Sequence, residues 1–339
     1  MRLGLIARAD SRGLGIQTKA VHDQLHPART MVIDCPSANP LPTRNDWYPD
    51  ATWIKGKPDA RDFRRWLAGL DVVYTAETSY GKRGPELWDE AERAGVRTVL
   101  HANFEFLNRS DRPTLWAAPS LWRFNEFPTG ALHLPVPVNL AAFPPRQPEI
   151  TPHFLHIVGR PAIHDRNGTL DLLLALRHVT EQITVTVRCQ DEHYVPGLIN
   201  SRQIQTPTNV VLRVESGDVE HHTDLYTDGD ILVMPRRFGG LCLPAQEAIA
   251  AGMPVLMPDI TPNNQWLPKQ WLFPANKAGS FVAKQRVDYY RTKPRLLAAK
   301  LDEYATTAPS QWANDVQRIR QELSWETLRP RYMEVLANA

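Results

Sequence analysis

The chain has 339 residues, with 39 Lys and Arg against 37 Asp and Glu, and 42% of it is hydrophobic. That balance excludes intrinsic disorder, and a formal net charge of +2 argues against a dedicated nucleic-acid binder. A chain longer than about 250 residues usually divides into more than one core, so two domains are expected.

The N-terminal half alternates short apolar runs with amphipathic stretches. Leu3 to Ala7 reads as a buried strand and 16–25 as the helix after it; 30–33, 71–74 and 96–101 read as further strands, the last preceded by a helix over 85–94. Strands without in/out alternation are covered on both faces, as in a parallel sheet flanked by helices. No apolar run reaches the roughly 18 to 20 residues of a membrane helix, and the N-terminus lacks a cleavage-type flank, so a cytoplasmic protein with no membrane span is expected. Cys35, Cys189 and Cys242 lie far apart, which suits reduced buried thiols. The 29 prolines exceed the ordinary share of about 5% and concentrate between Leu132 and Pro148, where no helix or central strand tolerates them.

The domain boundary is placed there, giving an N-terminal domain over 1–145 and a second over 150–310. Strands are expected at 154–158, 183–188, 209–213, 230–234 and 254–257, and helices at 168–179, 219–227 and 244–251. From Val287 onward Tyr289, Leu296, Leu297, Leu301, Trp312, Ile319 and Leu323 fall at helical spacings. The helices of 311–339 are expected to pack back toward the first domain.

Three segments carry chemistry. The loop from Arg8 to Thr18 places Gly13 and Gly15 between a strand and its helix, where amides can approach an anion, although a tight turn explains the glycines equally well. Gly159 and Arg160 end the strand at 154–158, and Arg166 precedes the next helix; an arginine fork suits diphosphate oxygens, and a surface ion pair is the plainer alternative. The run from Asp230 to Asp259 reads strand, glycine turn, helix opened by Leu243-Pro244, glycine stop at Gly252, and strand. Glu247 stands one turn inside that helix among apolar neighbours, able to accept two ribose hydroxyls.

These segments, in this order, resemble the GT-B glycosyltransferases of the retaining family 4 type. The linker 134–145, the Val158-Gly159-Arg160 to Gly168 segment and the signature from Asp230 to Val255 each have a family counterpart. The resemblance implies an α/β fold of GT-B architecture, two doubly wound Rossmann-like domains facing across a cleft. It implies an enzyme that moves a sugar from a UDP or GDP donor to an acceptor hydroxyl with retention. Glu247 resembles the ribose-binding glutamate and Arg160 the diphosphate arginine. Gly240, Leu241, Cys242 and Leu243 resemble the loop whose amides face phosphate and sugar, Gly15 the glycine against which the diphosphate closes, and His101 the histidine beside the donor sugar. No metal or other cofactor is expected beyond the nucleotide-sugar co-substrate, because Arg160, Arg166 and loop amides would meet the leaving-group charge.

The departures are specific. Eight residues before Glu247 the family has a glutamate and this chain has Gly239; the family's lysine has no clear counterpart, Arg166 being the nearest cation in a loop one residue longer. Arg236 and Arg237 flank the altered position and read as selectors of an acidic donor group or as solvated side chains. Two other readings stand beside the enzyme. The compact chain also resembles bacteriophage glycosyltransferases that act in the host cytoplasm on modified DNA bases or virion protein. A non-catalytic nucleotide-sugar-binding protein is the third. The acceptor class stays open among protein, DNA base, glycan and small molecule.

His221, His222 and Asp224 lack the i,i+4 spacing of metal ligands and read as a helix end. Arg61, Arg64, Arg65, Lys82 and Arg83 read as a solvated basic face. Trp47, Tyr48, Trp53, Trp66 and Trp116 read as core aromatics before sugar platforms.

Overall fold

The computed structural model describes residues 1–34, 43–56, 58–77, 84–143 and 152–339. Cys35, Lys82, Arg83 and the end of the proline-rich stretch, 144–148, lie outside these. Two compact units emerge: Met1–Pro137 with Trp325–Ala339, and Val138–Ser324.

The first unit runs β1 (Leu3–Ala7), α1 (Gly13–Leu25), β2 (Arg29–Asp34), β3 (Thr52–Lys55), α2 (Ala60–Leu67), β4 (Val72–Ala76), α3 (Gly84–Arg93), β5 (Arg97–His101), β6 (Leu115–Ala118) and β7 (Leu132–His133). Its strands lie in the order β3-β2-β1-β4-β5-β6-β7, every pairing parallel. β1 and β4 are buried along their whole length, which is why their sequences are apolar without alternation. Tyr48, Trp66 and Trp116 are core residues, whereas Trp53 on the edge strand β3 is exposed. Arg64 and Arg65 are solvated and pair with Glu90 and Asp62.

The second unit runs β8 (His153–Gly159), α4 (Thr169–Leu176), β9 (Ile183–Cys189), α5 (Tyr194–Ser201), β10 (Val210–Ser216), β11 (Ile231–Val233), α6 (Leu243–Ala250), β12 (Val255–Pro258), β13 (Leu272–Phe273), β14 (Asn276–Val282), β15 (Arg286–Arg291), α7 (Pro294–Thr306) and α8 (Ala313–Glu322). Its parallel sheet has the order β10-β9-β8-β11-β12-β13, and β14 and β15 form a separate antiparallel hairpin. α9 (Trp325–Asn338) completes the chain. Val316 and Ile319 of α8 lie in the second unit's core, and Trp325, Tyr332 and Leu336 of α9 in the first unit's.

Two expectations fail locally. The helix expected at 219–227 is a short 3₁₀ turn, His222–Tyr226. The helical reading from Val287 is wrong up to Arg291: Val287 to Arg291 are strand, and the helix starts at Pro294, whose ring suits a first helical turn.

In each sheet the chain winds to one edge, returns to the centre and winds to the other. The reversal lies between β1 and β4 in the first unit and between β8 and β11 in the second. Helices leaving these neighbouring strands go to opposite faces, and their parting opens a crevice at the strands' carboxyl ends where ligands bind in such sheets. In the second unit the two loops at that point are stitched together. The Arg237 amide donates to the Arg166 carbonyl at 2.8 Å, and His156 bridges below, Nδ1–H to the Val233 carbonyl at 2.8 Å and Nε2 to the Thr169 hydroxyl at 3.0 Å. Burial pushes the His156 pKa down to about 4, so it stays neutral and both nitrogens are used. Gly168 packs directly on the Pro235 carbonyl with φ +72°, leaving no room for a Cβ.

Gly168→Ala should therefore cost about 2 kcal/mol or more, left-handed strain plus overlap, whereas Gly159→Ala, at φ +60° with open space around it, should cost about 1 kcal/mol. Urea denaturation of the two variants beside the parent protein reads the difference; equal costs would remove the packing role assigned to Gly168.

Candidate functional site

The loop after β8 is fixed by its own acids. Asp165 accepts from the amides of Thr169 and Leu170, both at 3.0 Å, capping α4, and from the Tyr194 hydroxyl at 3.0 Å. The Asn167 amide donates to the Val158 carbonyl at 2.8 Å. His164 and Asp165 hold left-handed backbone at φ 55° and 47°, uncommon for residues with side chains and associated with sites where the fold over-determines the geometry. Arg160, exposed, follows directly on the carboxyl end of β8; Arg166, partly buried, sets its guanidinium 5.4 Å from the Phe238 ring centre.

The facing loop, after β11, is anchored by a buried charge cluster. Asp171 in α4 is 0% exposed. Arg237 reaches it through Nη2 at 2.9 Å and Nε at 3.3 Å, and pairs with Asp165 at 3.1 Å. Arg291 at the end of β15 donates to the same carboxylate at 2.8 Å. The hairpin is thus tied to the loop, and the Tyr290 amide adds a bond to the Arg237 carbonyl at 2.9 Å. Its aromatic side chains close over His164, which stacks on Tyr289 with ring centres 5.0 Å apart and lies 4.7 Å from Phe281; Phe281 in turn meets Phe238 at 4.9 Å.

Arg236 and Arg237 are both buried, so neither is the solvated side chain that the sequence allowed. Arg236 turns into its own loop, donating to the carbonyls of Phe238 at 3.0 Å and Leu241 at 2.8 Å. Gly239 has φ +119°, and an added Cβ would meet the Arg236 guanidinium and Arg166 Nη2, the latter at 2.5 Å. Two cationic groups therefore occupy the space a side chain at 239 would need.

Gly240 and Cys242 are buried and Leu241 and Leu243 partly so, leading into α6 with Pro244 in its first turn. The first amides of a helix lack partners within it, and the positive end of the helix dipole lies there. One turn on, Glu247 is 8% exposed and accepts the Tyr226 hydroxyl at Oε2, 2.6 Å. Oε1 lies 3.8 Å from His222 Nε2. Burial pushes the Glu247 pKa up to about 7 against the pull of the Tyr226 bond, and burial lowers that of His222.

In the first unit Gly13 opens α1 and Gly15 packs so closely on the Asp10 carbonyl that no Cβ fits. His101, at the end of β5, is 1% exposed; its Nδ1 lies 2.7 Å from the Tyr74 hydroxyl and 3.2 Å from Gln17 Nε2, and burial pushes its pKa down to about 3. It is a neutral core histidine within its unit, so a role at a reacting sugar rests on the family resemblance alone. The structure gathers Arg160, Arg166 and residues 240–243 at the reversal point of the second unit, with Glu247 one turn behind. Asp171, Arg291 and Tyr226, which support them, went unassigned in the sequence because each comes from a distant element, and His222, read there as part of a helix end, lies beside Glu247. Among the described residues no three metal-ligating side chains converge.

Because Asp171 is fully buried and compensates the buried Arg237 guanidinium, with Arg291 reaching it from the surface, Asp171→Asn should cost about 3 kcal/mol or more of the second unit's stability. The pair of exposed Lys277 with half-buried Asp288 should be worth about 1 kcal/mol or less by Asp288→Asn. Chemical denaturation of both variants checks the contrast, and similar losses would show that the cluster is no keystone.

Residues 142–330 match the family described as family 4 glycosyltransferases in conflict systems. No curated protein matches the sequence. Among solved structures the chain is similar to sucrose-phosphate synthase from Thermosynechococcus elongatus, with 14% identity, TM-score 0.68 and 100% of each chain covered. It is similar to Anabaena HepE in complex with UDP and glucose, with 9% identity, TM-score 0.72 and 100% of each chain covered. A third is the lipopolysaccharide outer core galactosyltransferase WaaB, at 11% identity and TM-score 0.67, covering 100% of this chain and 99% of that one. At such identities the likeness establishes a fold, which is GT-B, two parallel α/β units with central reversal points. With more than half of its length matched by the family, the chain belongs to the family 4 glycosyltransferases of conflict systems.

Proposed function

We propose that the protein transfers a sugar from a nucleotide diphosphate donor to an acceptor hydroxyl with retention, and that its second unit holds the donor. The observation carrying this reading is the reversal point between β8 and β11. Arg160, Arg166 and the amino end of α6 lie there, and Glu247 stands buried one turn inside. A diphosphate suits the first three, since guanidinium forks and helix-opening amides both favour oxyanions. The ribose falls to Glu247, whose Oε2 is already taken by Tyr226, so Oε1 accepts the hydroxyl. HepE, solved in complex with UDP-glucose, supports the donor class by likeness of fold. As the glycosidic bond breaks, negative charge grows on the leaving diphosphate, and fixed cations stabilise that state more than the bound donor. The reading needs no metal, and it leaves His101 a part in the first unit by resemblance alone.

A second reading is favoured by one observation: with Gly239 in place of a carboxylate, the protein binds a nucleotide sugar without transferring it. Release of sugar from UDP- or GDP-sugars by the purified protein, with and without an acceptor panel, separates the two.

Glu247→Ala should weaken UDP-glucose binding by about 1 to 3 kcal/mol, the range for losing a charged hydrogen-bond partner. Unchanged affinity in calorimetry, with the fold intact, would end the ribose assignment.

The same residue sets a pH dependence. With its pKa raised to about 7, Glu247 is largely protonated at pH 6 and ionised at pH 8. A donor that needs the ionised carboxylate binds more tightly as pH rises through 7, and Glu247→Gln should flatten the profile. UDP-glucose suits the measurement because its diester diphosphate does not titrate in that range. A parent profile flat from pH 6 to 8 would contradict the prediction.

A further inference from the structure

Among the described residues Arg236 has no counter-ion. It is 6% exposed, yet among the described residues its partners are the main-chain carbonyls of Phe238 and Leu241, and no carboxylate pairs with it. Its Nη1 donates to no described group. The neighbouring Arg237, by contrast, is paired with both Asp165 and Asp171. A guanidinium withdrawn from water without a counter-ion is costly. Two further features raise that cost. The Arg166 guanidinium converges on the same point above Gly239, and the loop runs into the amino end of α6, where the helix dipole is positive.

A ligand can supply the missing charge. Two guanidinium groups over a residue that lacks a side chain, beside the helix-opening amides, make a cradle rich in donors. We propose that Arg236, together with Arg166, recognises an oxyanion of the bound donor, carried either in the diphosphate or as a carboxylate on the transferred sugar. Gly239 belongs to the same device, because any side chain there would displace the two cations. The proposal rests on the donor reading above, and it makes Arg236 a specificity-determining residue, which none of the matched segments assigns.

The test is calorimetric titration of the parent protein, Arg236→Gln and Arg236→Lys with uridine, inorganic pyrophosphate, UDP, UDP-glucose and UDP-glucuronate. Arg236→Gln should lose about tenfold or more in affinity for anionic probes while uridine binding holds, and Arg236→Lys should recover part of the loss. Equal losses for UDP, UDP-glucose and UDP-glucuronate place the anion in the diphosphate. A loss confined to UDP-glucuronate, with the parent preferring it over UDP-glucose, places it on the sugar. Parent-like affinity of Arg236→Gln for every anion overturns the proposal, as does an equal fall for uridine, which would mean only that the loop has collapsed. If the parent binds pyrophosphate but no nucleotide, the donor reading fails, and the pyrophosphate arm alone decides Arg236. Should Arg236→Gln fail to fold, Arg236→Lys carries the comparison: a fall in affinity for the anionic probes with uridine binding held supports the proposal, and parent-like affinity for every anion overturns it.

Discussion

The buried carboxylate of Asp171 is the constraint on which the geometry at the second unit's reversal point depends. It projects from α4, yet its two partners come from the loop after β11 and from the end of β15, so one side chain joins three elements distant in sequence. A carboxylate at 0% exposure needs such compensation, and a guanidinium held this way cannot swing out to a ligand. The loop that opens α6 thereby acquires a fixed shape before any substrate arrives. On the proposed donor reading, pre-organised charge of this kind favours catalysis, because no reorganisation is required when a diphosphate departs.

The cluster also sorts the charges around the reversal point. Asp165 and Asp171 are turned inward onto Arg237 and Arg291, and Asp165 is spent on capping α4 as well. Asp165 and Asp171 are thus committed to structure, while among the described residues Arg236 keeps only carbonyl partners. Glu247 differs from these acids in its partner, a neutral tyrosine hydroxyl in place of a guanidinium, and burial lifts its pKa to about 7 against the pull of that bond. The site thus combines a fixed cationic loop with a carboxylate that titrates near neutrality.

Much of this was legible in the sequence, for identifiable reasons. β1, β4, β5 and β8 are continuous apolar runs, and the stretch from Asp230 to Asp259 carries strand, turn, helix and stop in succession, so both the sheets and the signature loop could be read locally. β3 was missed because its four residues lie at a sheet edge and are largely exposed, which erases the apolar signal. The hairpin was misread because Tyr289 and the leucines of α7 happen to fall at helical intervals across a strand-helix junction. The roles of Arg236 and Arg237 were beyond local reading, since adjacent arginines look alike until Asp171, 66 residues before Arg237, is placed.

Gly239, Arg236 and Arg166 share one volume, and that has a consequence for how the sequence can vary. A carboxylate cannot return to position 239 while both guanidinium groups stand there, and shortening either arginine first would leave a hole where the other is now packed. The three positions are coupled, so the effect of a change at one depends in sign on the residues at the other two. Sequence drift at this loop is therefore expected to proceed by paired replacements, with single changes filtered out, and the glycine is held in place by its neighbours' side chains as much as by its own backbone angle.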